Sequence, residues 1–396
     1  MRNHEVSNSN AAIGMQTAGY VGSKLTARTS SHEKAKRYNR IRITLSFLET
    51  VLLFVFAAII VLSGLSRTIA ELAHGASDND YLALLMFAAA FGLLEIAVVL
   101  PLSVYSGYVL EHRYDLSNQS VGRWMWEETK SVLVSIPILA PLLLVFYFFL
   151  KELGTLWWLP VGVIVFVLSV VLARLAPTLI FPLFYRFRPL EDGSLKQRIL
   201  RLCSDVGMQV MGVFSFNMSK NTKKANAGFT GIGKSKRIIL ADTLLANFTE
   251  EEIETVFAHE LGHYKHGHIW KGIVAGMVST FVGLFLTAQL YEVSLSWFGF
   301  TRVDELAALP LLSIWLGIYG LVTFPLNNAL SRRFEREADR FALWKTRNAA
   351  AFISTMKKLA EQNLADISPR PVVEFLFYSH PSIEKRVKFA ERYEKQ

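Results

Sequence analysis

The chain has 396 residues, of which 52% are hydrophobic and 28 are phenylalanine, with a mean hydropathy of +0.31 and a formal net charge of +9. That apolar content exceeds what a water-soluble domain buries, and it collects in long runs, so the composition excludes a purely soluble protein. A single cysteine, Cys203, excludes an intramolecular disulfide and any multi-cysteine metal site, leaving nitrogen and oxygen as metal donors.

Residues 1–43 carry Arg2, Lys24, Arg28, Lys34, Lys36, Arg37, Arg40 and Arg42 with few acids and no apolar h-region. They read as a mobile, basic cytosolic tail rather than a signal peptide. Apolar spans follow at 44–66, 82–110, 131–150 and 156–185, and again at 270–298 and 308–330. Each is near or above the ~20 residues that cross a bilayer. Glu95 and Arg174, the notable charges within these spans, are expected to face a polar interior. The loop 67–81 holds one arginine and three acids. The charge bias therefore places the N-terminus in the cytosol, and six crossings put 186–269 and 331–396 on that side. The membrane is the plasma (inner) membrane if the source is bacterial and the endoplasmic reticulum if it is eukaryotic. Orientation accounts for the positive charge, so no nucleic-acid partner is expected; the bilayer is the evident one.

The fold class expected is mainly α: a multi-pass helical membrane protein, about six spans around a polar chamber, with a small α+β metalloprotease domain. That domain is divided into 186–269, which carries the zinc-binding helix, and a C-terminal segment 331–396, interrupted by the membrane hairpin 270–330; the N-terminal helices occupy 44–185. The two segments together, about 150 residues, suffice for a core of their own.

Residues 249–266 form a strong helix pattern. Thr249 can N-cap, Glu252 occupies the capping-box position, and Ile253, Val256 and Phe257 make an apolar stripe. Within it lies His259-Glu260-Leu261-Gly262-His263. Imidazoles four residues apart share a helix face and can hold one zinc ion, while Glu260, about 100° round the helix, reaches a zinc-activated water. A third histidine from the same stretch would require Gly at 266 and His at 269, but the chain has His266 and Ile269. His266 is ~10.5 Å of rise from His259, too far to share an ion. His266 and His268 are therefore read as solvated interfacial histidines. A carboxylate from a second helix is the economical third ligand: in 331–346, Glu335 and Asp339 stand at i and i+4, so Glu335 can bind the metal and Asp339 can orient a histidine. The competing reading pairs these acids with Arg332, Arg333, Arg336 and Arg340.

At this point the sequence resembles the integral-membrane type I CAAX prenyl endopeptidases. The likeness is carried by Glu111-His-Arg-Tyr-Asp-Leu-Ser-Asn118-Gln119, Asn226-Ala227, Arg237-Ile-Ile-Leu-Ala-Asp242-Thr243-Leu244-Leu245, the His259 motif, Ser331-Arg332-Arg333-Phe334-Glu335 with Ala338-Asp339, and Ser379-His380-Pro381. The resemblance implies a zinc metalloendopeptidase that removes the C-terminal tripeptide of prenylated proteins, with one Zn2+ held by His259, His263 and Glu335 and with Glu260 as the base. It also implies that Asn226 lies next to the substrate and that His380 helps stabilise the tetrahedral intermediate. From the residues alone, Asn226 reads as a strand end and His380 as a turn residue. Eukaryotic members of the family have seven spans, and this chain has six. The alternative within enzymes is a quality-control protease similar to the HtpX-like heat-shock proteases, cleaving unmodified or damaged proteins; outside enzymes it is a channel, a transporter or a scaffold. The partner is thus a peptide or protein substrate, prenylated or not, expected to add to a strand edge around 225–240, with Arg237 to Leu240 as the receiving strand.

Overall fold

The computed structural model describes residues 5–230 and 236–395, with side chains from residue 32 onward. Among these residues six helices are long and apolar enough to cross a membrane: His32–Leu62, Asp80–Arg113, Val121–Leu156, Trp158–Leu179, His268–Phe298 and Leu306–Thr346. They coincide with the six spans expected from hydropathy.

Helix α1 (Glu5–Leu62) runs without a break through position 43, where the composition turns from basic to apolar. From residue 32 the stretch expected to be mobile is instead packed. Ala35 and Tyr38 are buried with Leu110, Tyr114, Leu116 and Leu364. The Tyr38 hydroxyl donates to Glu111, Lys224 Nζ lies 2.8 Å from the same carboxylate, and Asn39 donates to the Leu364 carbonyl at 2.6 Å. The basic end of the first span therefore lies on the same side as the segments around Lys224 and Leu364.

Helix α2 (Leu65–Ala76) is a short amphipathic turn after that span. Helix α3 (Asp80–Val104) continues through a π-helical turn into α4 (Leu110–Arg113), and α5 (Val121–Leu153), α6 (Trp158–Leu179) and α7 (Phe181–Phe184) complete the N-terminal bundle. Leu84, Leu150, Trp157, Tyr291 and Leu311 share a core at the loop ends opposite Tyr38.

The extramembrane part begins with β1 (Phe187–Pro189), α8 (Ser194–Asp205), β2 (Val213–Phe216), β3 (Ala227–Thr230) and β4 (Arg237–Ala241). The sheet order is β1-β2-β4-β3, with β2 and β4 parallel and the outer pairs antiparallel. This corrects one expectation. Arg237–Leu240 lies in the inner strand β4, whose two edges are already taken by β2 and β3, so it has no free backbone groups for a substrate. The edge position beside it belongs to β3; residues 231–235 of the expected 225–240 region lie outside the described residues.

After α9 (Asp242–Asn247) come α10 (Glu250–Lys265), α11 (His268–Leu295), α12 (Leu309–Thr346), α13 (Ala349–Gln362), α14 (Pro371–Phe377) and α15 (Ile383–Glu394). The 38-residue α12 crosses position 330 uninterrupted, so one continuous helix, ~57 Å along its axis and with Pro325 in its interior, carries the last span and the Glu335 segment together. Ile199, Ile238, Leu240, Phe257, Leu261 and Phe352 form the core that holds sheet and helices as one α+β unit. Phe257 and Phe352 are fully buried, each contributing ~1.5–3 kcal/mol of apolar transfer.

Candidate metal centre and active site

The motif helix α10 starts as its sequence dictates. Glu252 N donates to Thr249 Oγ1 at 3.3 Å and Thr249 N donates back to Glu252 Oε2 at 2.8 Å, a reciprocal cap that satisfies two end groups. The same carboxylate accepts from Ser354 at 2.6 Å and from Lys358 at 2.7 Å, tying the start of α10 to α13.

Close approach of α10 and α12 brings the motif to Glu335. A Cβ on Gly262 would lie 2.9 Å from Ala338 Cα and 3.1 Å from the Ala338 carbonyl oxygen, so glycine and alanine at this crossing set the interhelical distance. We expect Gly262→Ala to destabilise the protein by ~1–3 kcal/mol by overpacking and to weaken metal binding. Thermal unfolding in detergent and metal analysis check this; an unchanged melting temperature with full metal content would show that the helices can part freely.

At the crossing, His259 Nε2 and His263 Nε2 are 3.2 Å apart. Glu335 Oε2 lies 3.2 Å from His259 Nε2, and Glu335 Oε1 lies 3.3 Å from His263 Nε2. One donor atom from each residue falls within 4.8 Å of the others. Glu335 Oε2 is buried and receives no hydrogen bond. An orphaned carboxylate oxygen costs ~1–3 kcal/mol or more unless something else satisfies it, and converging with two imidazole nitrogens it is the natural ligand of a divalent cation. The residues fit a metal ion.

Behind His259 stands a buried charge pair. His259 Nδ1 is 2.9 Å from Asp339 Oδ1. Arg386 grips Asp339 in a fork, Nε to Oδ2 at 2.9 Å and a terminal nitrogen to Oδ1 at 2.6 Å. Burial works against charge on His259, but the neighbouring carboxylates of Asp339 and Glu335 outweigh it and lift its pKa to about 9. The cluster thus has the anionic surroundings of a cation site. Burial also raises the Glu260 carboxyl above the usual range, partly offset by the imidazoles of His259 and His263.

His380, in the loop before α15, places Nε2 3.3 Å from Glu335 Oε1, while Nδ1 lies 2.9 Å from Ser379 Oγ. Its side chain is 56% exposed, open to an incoming group. Arg332 holds this loop. Buried on α12, it donates to the carbonyls of Glu374, Phe375 and Tyr378 at 3.0, 3.2 and 2.5 Å. Arg332 therefore caps the end of α14 instead of pairing with the acids of its own helix, and Arg333 pairs with Glu337 at 3.3 Å. The arginine-pairing reading fails for Glu335.

The structure thus brings His259, His263, Glu335, Asp339 and His380 together. Asn226 is exposed immediately before β3, and no hydrogen bond among the described residues ties it to the cluster; the strand it introduces packs on α10 through Phe229 and Phe257, with ring centroids 5.2 Å apart. His266 is exposed as expected, but His268 is buried and hydrogen-bonded, because the turn at Gly267 folds it back against His263. Arg386 was not singled out in the sequence. The available signal was its register: three residues after Ile383 and four before Ala390, it stands on the apolar face of α15, where a charge needs a buried partner. Glu95 lines two cavities of about 540 and 390 Å³ whose other walls are mainly apolar, among them Phe54, Phe91, Val99 and Leu100, and Arg174 is exposed, so neither charge marks out a polar interior.

The pattern of Peptidase family M48 matches residues 189–394, more than half of the chain. The chain belongs to peptidase family M48. The pattern described as the CAAX prenyl protease N-terminal, five membrane helices, matches residues 23–186. Among the described residues that region has four helices long enough to span, plus the short α2. Relatives include the uncharacterized metalloprotease YhfN of Bacillus subtilis, 31% identical over 91% of this chain and 85% of its own length. The CAAX prenyl protease 1 homolog of Arabidopsis thaliana is 31% identical, covering 78% of this chain and 74% of that protein. CAAX prenyl protease 1 of Saccharomyces cerevisiae is also 31% identical, with 76% and 71% covered. The crystal structure of S. mikatae Ste24p superimposes with a TM-score of 0.82 at 26% identity, over 91% of this chain and 89% of that one. This M48 chain is a multi-pass membrane metalloendopeptidase; its family implies a metal ion, and His259, His263 and Glu335 form a group that could hold one.

Proposed function

We propose that the chain is a zinc-dependent CAAX prenyl protease, removing the C-terminal tripeptide of prenylated proteins. The observation that carries this reading is the convergence of His259, His263 and the orphaned Glu335 carboxylate inside a chain that is similar along most of its length to CAAX prenyl proteases. Zinc held by those three residues would supply Lewis acidity for water and for the scissile carbonyl at neutral pH.

The chain's own residues do the rest. Glu260 takes the proton of the attacking water and returns it to the leaving amine. Asp339, fixed by Arg386, holds the Nδ1 proton of His259 so that Nε2 faces the ion. His380 donates to the carbonyl oxygen as negative charge develops there. The β3 edge, beginning just after Asn226, pairs with an extended substrate and leaves sequence demand low. The basic end of α1 and the catalytic segments lie on the cytosolic side, at the plasma membrane of a bacterium or the endoplasmic reticulum of a eukaryote.

The test is cleavage of a farnesylated CAAX peptide against its unmodified counterpart by purified protein, with Glu260→Gln and a chelator as controls. Tripeptide release from the farnesylated peptide, lost in both controls, is the expected result. Equal cleavage of the two would make the chain a general membrane-protein protease, and cleavage of neither by metal-loaded protein would remove the proposed activity.

A further inference from the structure

We propose that His268 and Glu337 form a positioning relay for His263, the counterpart of the Asp339–His259 contact on the other side of the metal cluster. The proposal rests on the reading of His259, His263 and Glu335 as the metal ligands. His263 Nδ1 lies 3.0 Å from His268 Nδ1, and His268 Nε2 lies 3.0 Å from Glu337 Oε2. The His268 side chain is only 4% exposed. Its ring stacks on Phe334 with centroids 4.3 Å apart and planes 11° from parallel, which fixes the plane in which its nitrogens can bond. Arg333 and Lys271 flank Glu337 at 3.3 and 3.8 Å and favour its ionised form.

The bonding pattern leaves one assignment of protons. His263 must offer Nε2, bare, to a metal, so its proton sits on Nδ1. That N–H needs an acceptor, and His268 Nδ1 is the atom within reach. His268 then carries its own proton on Nε2 and donates it to Glu337, an acceptor-only carboxylate. Ligand tautomer, relay tautomer and carboxylate charge agree from end to end. The two metal histidines are therefore held differently, His259 by a carboxylate directly and His263 by a neutral imidazole with a carboxylate behind it.

Local geometry explains how a residue only five positions along reaches back. Gly267 takes φ 64°, a left-handed conformation that glycine adopts without strain, and this turn ends α10 and starts α11 at His268. The relay residue is thus the first residue of the fifth span, and Glu337 sits on α12 between Glu335 and Asp339. The relay ties the metal cluster to two helices that enter the membrane.

The experiment uses the full chain in detergent and measures zinc affinity by competition with a chromophoric chelator, the absorption spectrum of the cobalt-substituted protein, and the melting temperature of metal-free protein. His268→Leu keeps an apolar contact with Phe334 but removes the acceptor. It is expected to weaken zinc binding ~10- to 100-fold and to shift the cobalt bands, with the metal-free melting temperature unchanged. His268→Asn, whose side-chain oxygen can stand near the place of Nδ1, is expected to recover most of the affinity. Wild-type affinity in His268→Leu would overturn the relay, and so would equal loss in the Leu and Asn variants. His259→Ala and Glu335→Ala serve as controls: if they bind zinc as tightly as wild type, the metal-centre reading itself fails, a result distinct from failure of the relay alone.

Discussion

Glu260→Gln is expected to slow peptide hydrolysis by ~10²- to 10⁴-fold while leaving metal content unchanged. Glutamine matches glutamate in shape but has no basic oxygen, so it cannot take a proton from water. Glu260 neighbours His259 in the chain yet stands outside the group of donors that converge on one point. Burial raises its carboxyl pKa by more than the nearby imidazoles lower it, so a neutral side chain relieves a desolvation cost and the fold should not suffer. Initial rates and metal analysis on one preparation decide the matter. Full activity would remove Glu260 as the base, and loss of metal along with activity would make it a ligand.

What the sequence reveals about this protein follows the range of the forces involved. The reciprocal cap of Thr249 and Glu252 and the spacing of His259 and His263 are local, fixed within one or two helical turns, and the structure contains both as read. The six spans are legible because a bilayer imposes length and apolarity on each segment separately. Position 330 illustrates the limit of that signal. Hydropathy ends there, but Ala329, Leu330, Arg332, Arg333, Glu335 and Arg336 are good helix formers, so α12 continues into the catalytic unit. Strand order is non-local in a further sense. Arg237–Ala241 has the β-branched pattern of a strand, yet whether it lies at the edge or inside depends on where β3 pairs, which its own residues do not encode. His268 and Arg332 needed tertiary contacts to be understood at all, because a histidine or an arginine at the end of a span reads equally well as solvated.

Arg386→Leu is expected to destabilise the protein by ~3–5 kcal/mol, because it strips the partner from a buried carboxylate. Asp339 is 1% exposed and Arg386 8%, so water cannot take over the lost interactions. Asp339 would be left to His259 alone. If it takes up a proton instead, it becomes a poorer acceptor for the Nδ1 proton of His259, and metal affinity falls as well, by ~10- to 100-fold. Pairing the change with Asp339→Leu separates the two effects. Removing both charges leaves none buried without a partner, so the double variant should recover part of the stability lost in Arg386→Leu. It should not recover the metal affinity, since the carboxylate that orients His259 is gone. Melting temperatures of metal-free protein and zinc affinities across the four members of this cycle supply both readouts. Recovery of both quantities would mean that the pair serves only the fold, and recovery of neither would mean that Leu cannot be accommodated at the junction of α12 and α15. Recovery of stability alone is the result expected if Arg386 acts on the metal centre through Asp339.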